Sequence, residues 1–600
     1  MNRNLTTTVH RTPRASRRWL AATTALAGLL SLGQAAYALP TGGEVSAGAA
    51  TIGAAPGSLT VNQTSQNAAI NWQAFDIAAG ESVVFVQPNA SSVALNRVLG
   101  PDGTTILGNL SANGKVFIIN PNGVLFGAGS QVNVAGLVAS TRSISDADFM
   151  NADYRFSGSG GGAVLNQGHI NADGGYVALL GASVTNDGII AARLGTVALA
   201  AGNAVTLDVV GNGLLNVTIN EGAVNALVAN GGMISAGGGQ VVLTAQAAGA
   251  LLKTVVNNTG VIEARSIENR NGAISLLGDM QSGTVNMSGT LDASGANAGE
   301  RGGTVMVLAH TVGLSGSVDA SGNAGGGFVE TSGTHVRVAE SVRVNTLSPN
   351  GKGGLWMLDP VNYNIAITGG DETPSQVTTS LALSDRLIVA DNNITITNSI
   401  TWTTAQMLEL RAGNNVETLL GADITASTAG SHLKIVAGND AIIRGAITTS
   451  GAGSTLEIHA GRDLATHGSM TASEDGALMD LNAGRNITQH VGSALTASGG
   501  GAIVMRADAD GSGGPGGGTV VLGDMDAVTS ESVTIYYSPE DGYAQPNSYA
   551  DVDNVTAYMW AFADAQDKQY DGDTDAVLAF RGDPTVNGMR DVRLTSDGGT

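Results

Sequence analysis

Short stretches in which apolar and polar residues alternate recur from residue 39 to about residue 530. In the second half, a six-residue unit that begins apolar, polar, apolar and ends in Ala-Gly occurs four times. Alternation with period two predicts a β-strand with one buried face. A polar pair and a second short apolar stretch follow each unit, which predicts a turn and another strand. The units end at Gly413, Gly438, Gly461 and Gly484, spaced 25, 23 and 23 residues apart.

The middle of the chain repeats more loosely. Ser288–Gly295 recurs as Ser315–Gly322, 27 residues later. An Asn-x-Gly string also precedes a short apolar pair four times. Asn and Gly adopt the backbone conformations needed at tight corners, so each string predicts a turn followed by a strand. These strings begin at Asn166, Asn186, Asn230 and Asn258.

A repeat of ~20–27 residues with short strands is typical of one coil of a β-solenoid. One coil cannot bury its inward side chains, whereas stacked coils pair every backbone group with the coils on either side. The chain is therefore predicted to be all-β, a right-handed parallel β-helix (β-solenoid) with a small C-terminal β module. About 490 residues at ~22 per coil would give a rod on the order of 100 Å long.

Composition and charge reduce the number of function classes that fit the chain. The net charge of −22 argues against a nucleic-acid or anionic-membrane binder. The chain has 85 glycines and no cysteine. A lack of cysteine fits a chain that must stay unfolded through an oxidising periplasm.

The two ends of the chain differ from the repeats. Five arginines and then an apolar run, Leu20–Leu32, predict a signal peptide cleaved between Ala38 and Leu39. After residue 530 aromatic residues concentrate and the repeat stops, so we expect an incomplete fragment of a longer protein. The predicted domains are a signal peptide (1–38), a first β domain (39–160), repeats (161–360), repeats with Ala-Gly corners (361–530) and a C-terminal module (531–600).

The residues show no catalytic, cofactor-binding or metal-binding pattern. The eight histidines lack metal-ligand spacing, and we find neither a nucleophile elbow nor a phosphate loop. The expectation is a protein that is not an enzyme and holds no cofactor. Arg581, Gly582 and Asp583 form a tripeptide that could bind a cell-surface receptor, although turn chemistry and chance explain such a string as well.

Residues 71–141 carry three distinctive strings: Asn71–Ile77 (NWQAFDI), Ala94–Val98 (ALNRV) and Asn113–Val124 (NGKVFIINPNGV). These strings resemble the haemagglutination-activity, or two-partner secretion, domain of filamentous haemagglutinin and high-molecular-weight adhesins. Val124 replaces the family's isoleucine in the Asn-Pro-Asn-Gly-Ile motif, and the family's second motif, Asn-Pro-Asn-Leu, is absent. Residues 568–576 resemble the YDG module of large bacterial surface proteins.

The resemblance implies a secreted adhesin of a Gram-negative bacterium. The first β domain would be recognised in the periplasm by an Omp85-type outer-membrane transporter (TpsB-like), and the rod would then bind a host-cell or bacterial surface receptor. The motif residues that could contact the transporter are Asn96, Arg97, Asn120, Pro121, Asn122, Gly123 and Val124. Of these, Asn120–Gly123 also fits a type I turn with a purely structural role.

Two other functions stay open at this point. The chain could be the delivery stalk of a contact-dependent toxin or cytolysin, with the activity beyond residue 600. It could also be a β-helical polysaccharide-degrading enzyme, which would need basic residues or paired carboxylates in one groove. The scattered basic residues favour the adhesin.

Overall fold

The structure is a computed structural model that describes residues 38–209, 214–249, 254–509, 518–538, 549, 551–565, 578–580 and 591–594. Nearly all strand pairings in the described part are parallel, and they join strands one coil apart in sequence. The predicted parallel β-helix is thereby confirmed.

One sheet runs through the whole described stack, and we call it the long sheet. Its strands are Glu44–Ala47, Asn67–Trp72, Val93–Val98, Lys115–Ile119, Gly136–Ser140, Tyr176–Gly181, Thr196–Ala201, Gln240–Ala245, Ala273–Leu277, Thr304–Leu308, Phe328–Gly333, Leu355–Pro360, Asp385–Ala390, Met407–Ala412, His432–Ala437, Thr455–Ala460, Leu478–Ala483, Ala502–Arg506, Ser532–Tyr537, Val555–Ala565, Leu578–Phe580 and Asp591–Leu594.

Two further sheets complete the coils of the first half. The second sheet contains Thr104–Ile106, Val124–Phe126, Ala163–Asn166, Ser183–Asn186, Leu227–Asn230, Val255–Asn258, Thr284–Met287, Thr311–Leu314 and His335–Val338. The third sheet contains Ala50–Ala55, Ser58–Gln63, Ser82–Val86, Asn109–Ala112, Gln131–Asn133, His169–Asn171, Ile189–Ala191, Met233–Ser235, Val261–Glu263, Thr290–Asp292, Ser317–Asp319 and Arg343–Asn345.

Two different sheets replace these in the second half, after residue 360. The fourth sheet contains Tyr363–Ile365, Ile394–Ile396, Val416–Thr418, Ala441–Ile443, Leu464–Thr466, Ile487–Gln489 and Val520–Leu522. The fifth sheet contains Ile400–Trp402, Ile424–Ser427, Ile447–Ser450, Met470–Ser473, Leu495–Ala497 and Val528–Thr529. The helix Pro374–Leu381 lies at this change, next to Ile400–Trp402.

The repeats stack in register as their patterns predict. The inward residues of the Ala-Gly array, Leu408, Leu433, Leu456 and Met479, pair in sequence across four coils and are fully buried. Between adjacent coils, a Cβ on Gly438 or Gly461 would lie 2.1 Å from the carbonyl oxygen of the preceding corner glycine. Only glycine therefore fits these corners.

An asparagine ladder runs inside the first half. Asn166, Asn186 and Asn230 are buried, and each donates its side-chain N–H to the next asparagine, ending at Asn258, at 2.7–2.8 Å. A column of glycines lies beside the ladder, and a Cβ on Gly232 would come within 2.1 Å of the backbone oxygen of Gly188. The ladder satisfies buried polar groups and the glycines let the coils approach, which explains the Asn-x-Gly strings.

The two ends of the described stack are not alike. At the first end, Glu44–Ala47 pairs antiparallel with Asn67–Trp72, and Ala50–Ala55 pairs antiparallel with Ser58–Gln63. At the other end, Ser532–Tyr537 continues the long sheet in parallel, with Val533 and Ile535 in the core. The described stack thus continues past residue 531, where the sequence predicted a separate module, because inward apolar positions persist there. Val555–Ala565 then pairs antiparallel with Leu578–Phe580.

Candidate functional site

The turn at Asn120–Gly123 is built around a fully buried asparagine side chain. Asn120 Nδ2 donates to the carbonyl of Asp102 at 3.0 Å and to Thr104 Oγ1 at 3.1 Å, while its Oδ1 accepts from the Asn122 amide at 3.0 Å. The Gly123 amide closes the turn onto the Asn120 carbonyl at 3.0 Å. Asn120 therefore joins two coils, and its contacts are structural.

The outer side of this turn is open to solvent only in part. Pro121 and Asn122 are exposed, Gly123 adopts a φ of +123°, and Val124 is buried as the first residue of its strand. The loop at residues 158–162 packs on the turn, since a Cβ on Gly162 would lie 2.5 Å from the Gly123 amide nitrogen. Pro121 and Asn122 are the motif residues that a partner can reach here.

Asn96 is the buried polar centre of the paired strands Asn67–Trp72 and Val93–Val98. Its Oδ1 accepts from Trp72 Nε1 at 3.0 Å, and its Nδ2 donates to the carbonyls of Ala94 and Phe117. Trp72 also packs edge-on against Phe75, with ring centroids 5.5 Å apart. All these groups are buried, so Asn96 orients the tryptophan and is inaccessible to a partner.

Asp76 lies in the string Asn71–Ile77, after Trp72 and Phe75. Its carboxylate accepts from the Thr105 amide at 2.7 Å. Burial raises the pKa of Asp76, the hydrogen bond from Thr105 opposes this, and the nearby Asp102 raises the pKa further.

Arg97 connects the long sheet to the helix Asp146–Met150. Its guanidinium pairs with Asp146 at 2.8 Å and donates to the Ile144 carbonyl at 2.6 Å and to Asn71 Oδ1 at 3.1 Å. The arginine side chain is 17% exposed. Arg97 thus holds the start of this helix against the outer face of the sheet.

A second hydrophobic core lies on that outer face, separate from the core inside the coils. Phe117 meets Phe149 and Tyr154 edge-on, with centroids 6.0 and 5.1 Å apart. Helix Asp146–Met150 and a three-stranded antiparallel sheet cover these rings. The strands of that sheet are Tyr154–Ser157, Ala204–Val209 and Leu215–Glu221.

Arg142 is a site residue that the sequence reasoning missed. It is fully buried, and its guanidinium donates to the carbonyls of Gly202 and Gly160 at 2.7 Å and to Asn203 Oδ1 at 3.3 Å. Burial lowers the pKa of Arg142. It ties the covering sheet and the loop at 158–162 to the long sheet. A lone arginine after a strand carries no signal that identifies this role.

A polar depression of about 570 Å³ lies beside Arg97. Ser143, at one side of this depression, follows Arg142, which bonds the loop at 158–162, and this loop packs against Pro121. The loop at 158–162 lies between the depression and the exposed turn, and we call the depression together with Pro121 and Asn122 the motif surface. The depression is lined by Arg97, Ser143, Ile144, Ser145, Asp146, Asp148, Arg155 and Ser157.

The remaining predicted sites divide between described and undescribed residues. Ala38 and Leu39 are described, and Leu39 packs against the core of the first coils. Residues 1–37, the tripeptide Arg581–Asp583 and the YDG string lie outside the described residues. In the described part of the chain, no group of three or more His, Asp or Glu residues could hold a metal. None of its helices combines the length and apolarity needed to cross a membrane.

Comparisons with known proteins find similarity in the part of the chain that carries this surface. Residues 36–293 match the family described as TPS secretion domain. Two curated relatives from Haemophilus influenzae, both named heme/hemopexin-binding protein, are 29% identical over 255 residues and 35% identical over 244 residues. The matches cover 40% and 37% of this chain, and the chain spans only 27% and 26% of the length of these relatives.

Among solved structures, the chain is similar to the crystal structure of the HMW1 secretion domain from Haemophilus influenzae. The identity is 22% and the TM-score 0.48, and the match covers 66% of this chain and all of the other. The family match includes Asn96, Arg97 and the whole Asn120–Val124 string. Over residues 36–293 the chain is therefore similar to the TPS secretion domain, which supports a two-partner secretion exoprotein.

Proposed function

We propose that the chain is exported through an Omp85-type outer-membrane transporter and presents its β-helix outside a Gram-negative bacterium as an adhesin. The observation that carries the export step is the secretion-domain match over residues 36–293. The absence of cysteine supports it, since no disulfide loop could obstruct an unfolded chain in transit.

The motif surface is the proposed contact with the transporter. Asn96 and Asn120 are buried and act through the fold, whereas Pro121, Asn122 and Arg155 are accessible. Arg155 is the most useful probe, because its side chain is 70% exposed and its ion partner Asp153 lies on the same surface. Charge at such an accessible position steers association without supporting the fold.

Secretion from cells that express the chain with its transporter tests this surface. We expect Arg155→Glu to lower the amount of secreted chain at least tenfold, and a Pro121→Ala/Asn122→Ala double variant to do the same. Arg411→Glu is the matched control, since Arg411 is a 52% exposed arginine in an ion pair far along the stack. Equal secretion of Arg155→Glu and Arg411→Glu would refute the assignment of the contact.

Stacking outside the cell is the proposed source of direction for export. Leu410 and Ile435 are fully buried and pair across adjacent coils. An aspartate at either position would place an unpaired charge in the core, which prevents stacking there. We expect Leu410→Asp/Ile435→Asp to reduce secretion severalfold, with the outward-facing Lys434→Ala as control. Undiminished export of the double variant would count against this mechanism.

Adhesion is the proposed activity after export, and a non-enzymatic protein is the corresponding expectation. The outward faces of the coils are polar, as in Arg411, Lys434 and Glu457, so the surface can be varied without disturbing the core. Binding of the purified chain to host cells and to bacteria tests adhesion. Release of reducing or unsaturated ends from polysaccharides would instead support an enzyme, and killing of contacted cells by the full-length protein would support a toxin stalk.

Capture of a host haem carrier is the second candidate function. It is favoured by the name that both Haemophilus influenzae relatives carry, heme/hemopexin-binding protein. Titration of the purified chain with haem-loaded hemopexin, with apo-hemopexin and with serum albumin as a control distinguishes the two candidates. Saturable binding of hemopexin, in either form, without binding of albumin would favour this second function over general adhesion.

A further inference from the structure

Glu81 is a buried carboxylate with unfilled hydrogen-bonding capacity at the first coil. It immediately precedes the strand Ser82–Val86 and is 4% exposed. Its Oε2 accepts from the Ala78 amide at 3.0 Å and from the Ala38 amide at 3.1 Å. Its Oε1 is buried and has no hydrogen-bond partner.

No cation compensates this carboxylate within the described residues. None of the lysines, arginines and histidines placed there forms an ion pair with Glu81. A buried carboxylate is costly unless it is both paired and fully hydrogen-bonded. The unpartnered Oε1 therefore leaves room for one further hydrogen-bond donor, and a positively charged donor would compensate the carboxylate.

The predicted signal-peptide cleavage creates such a donor at this position. Hydrolysis of the peptide bond between Ala38 and Leu39 leaves a carboxylate on the departing Ala38 and a free α-amine on Leu39. An α-amine is largely protonated at neutral pH and carries three N–H donors. Adjacent residues are ~3.8 Å apart, so the new ammonium forms within one residue of the Glu81 carboxylate.

The surrounding structure holds the new terminus in place. Leu39 packs against the core and Pro40 is buried, which limits how far the terminus can move. When Ala38 leaves, it also vacates its hydrogen bond to Oε2. The ammonium can then fill that bond and the unpartnered Oε1 together.

We propose that Glu81 is the docking site for the α-ammonium of the processed chain, so that removal of the leader completes the first coil. The inference rests on the predicted cleavage site and not on the adhesive function. Before cleavage, the same position holds only a neutral amide.

The pH profile of amine labelling on the secreted chain tests the proposal. Mass spectrometry first identifies the terminal residue, expected to be Leu39. Pulses of acetic anhydride then give the labelling rate of its α-amine from pH 6 to 10 in the folded chain and in guanidinium. An ion pair shifts the midpoint of this profile upward on folding, whereas burial alone shifts it downward. We expect an upward shift and about tenfold slower labelling near neutral pH.

Two variants separate pairing from shielding. Glu81→Gln should remove the upward shift, while Glu44→Gln, which alters an exposed acid in the neighbouring strand, should retain it. A terminal residue other than Leu39 would overturn the cleavage step. An unchanged or downward midpoint in the folded wild-type chain would overturn the pairing, and this measurement needs no variant to fold.

Discussion

Replacing Asn120 by alanine should weaken the contact between two adjacent coils without changing any exposed side chain of the motif. The fully buried side chain makes three hydrogen bonds, two as donor and one as acceptor. Each contributes about 1 kcal/mol, so Asn120→Ala should lower the local free energy of opening by about 3 kcal/mol. Because each 1.4 kcal/mol is a factor of ten, amide exchange should accelerate about a hundredfold.

Hydrogen exchange with mass spectrometry on the full chain measures this effect. The informative amides are those of Thr104, Asn120 and Gly123, which donate to the carbonyls of Gly123, Ser140 and Asn120. Asn122→Ala is the matched control. The Asn122 side chain is exposed and donates one bond, to the Gly100 carbonyl at 3.1 Å, so its loss should accelerate exchange tenfold or less.

The result also separates a structural motif from a recognition motif. Coils beyond residue 400 should keep their protection in both variants, because each coil contacts only its neighbours. Secretion should fall in proportion to the lost protection. If Asn120→Ala leaves the exchange of these amides unchanged, the structural role is refuted. If Asn120→Ala abolishes secretion while amide protection is unchanged, the transporter contacts Asn120 itself, although this side chain is buried in the folded chain.

Three further predictions follow from the packing. Gly232→Ala should destabilise its corner, since the new Cβ would lie 2.1 Å from a backbone oxygen, whereas Gly249→Ala has no atom within 4 Å; limited proteolysis compares them. Arg386 and Glu372 form a fully buried ion pair, so Glu372→Gln should lower the free energy of unfolding by about 3–5 kcal/mol, because it leaves the arginine charge unpaired. The double variant Glu372→Gln/Arg386→Met should lose less, and urea unfolding compares the two variants. Asp463 accepts a hydrogen bond from Arg485, which lowers the pKa of the Asp463 carboxyl. The stability that this ion pair contributes should be present above about pH 4 and be lost on further acidification, and thermal unfolding over a pH series measures it.

The stacking of coils could be predicted from sequence because each coil repeats the same inward pattern. The period-two strands and the Asn-x-Gly corners carry that information locally, and both occupy the expected places. The continuation of the stack to Ser532–Tyr537 was missed because aromatic residues there replace the usual small ones, although Val533 and Ile535 keep the inward alternation.

The second core was missed for a different reason. Strands such as Lys115–Ile119 and Tyr176–Gly181 are apolar on both faces, which is the pattern of a doubly covered strand. That pattern was available, but two of the three covering strands, Ala204–Val209 and Leu215–Glu221, lie further along the chain than the strands that they cover. The two helices also had local signals, since Ser145 and Thr373 cap their first turns. The burial of Arg142 depends on contacts 60 residues away, which no local pattern contains.

The asparagine ladder keeps its spacing although the coils differ greatly in length. Asn166 and Asn186 are 20 residues apart, and Asn186 and Asn230 are 44 apart, yet both pairs bond at 2.7–2.8 Å. The longer interval includes two strands of the covering sheet, Ala204–Val209 and Leu215–Glu221, so the extra residues leave the stack at a corner and return in register. A long segment can therefore be inserted between two ladder positions without breaking the register of the stack. Chimaeras that exchange whole intervals between equivalent asparagines should preserve the same alignment.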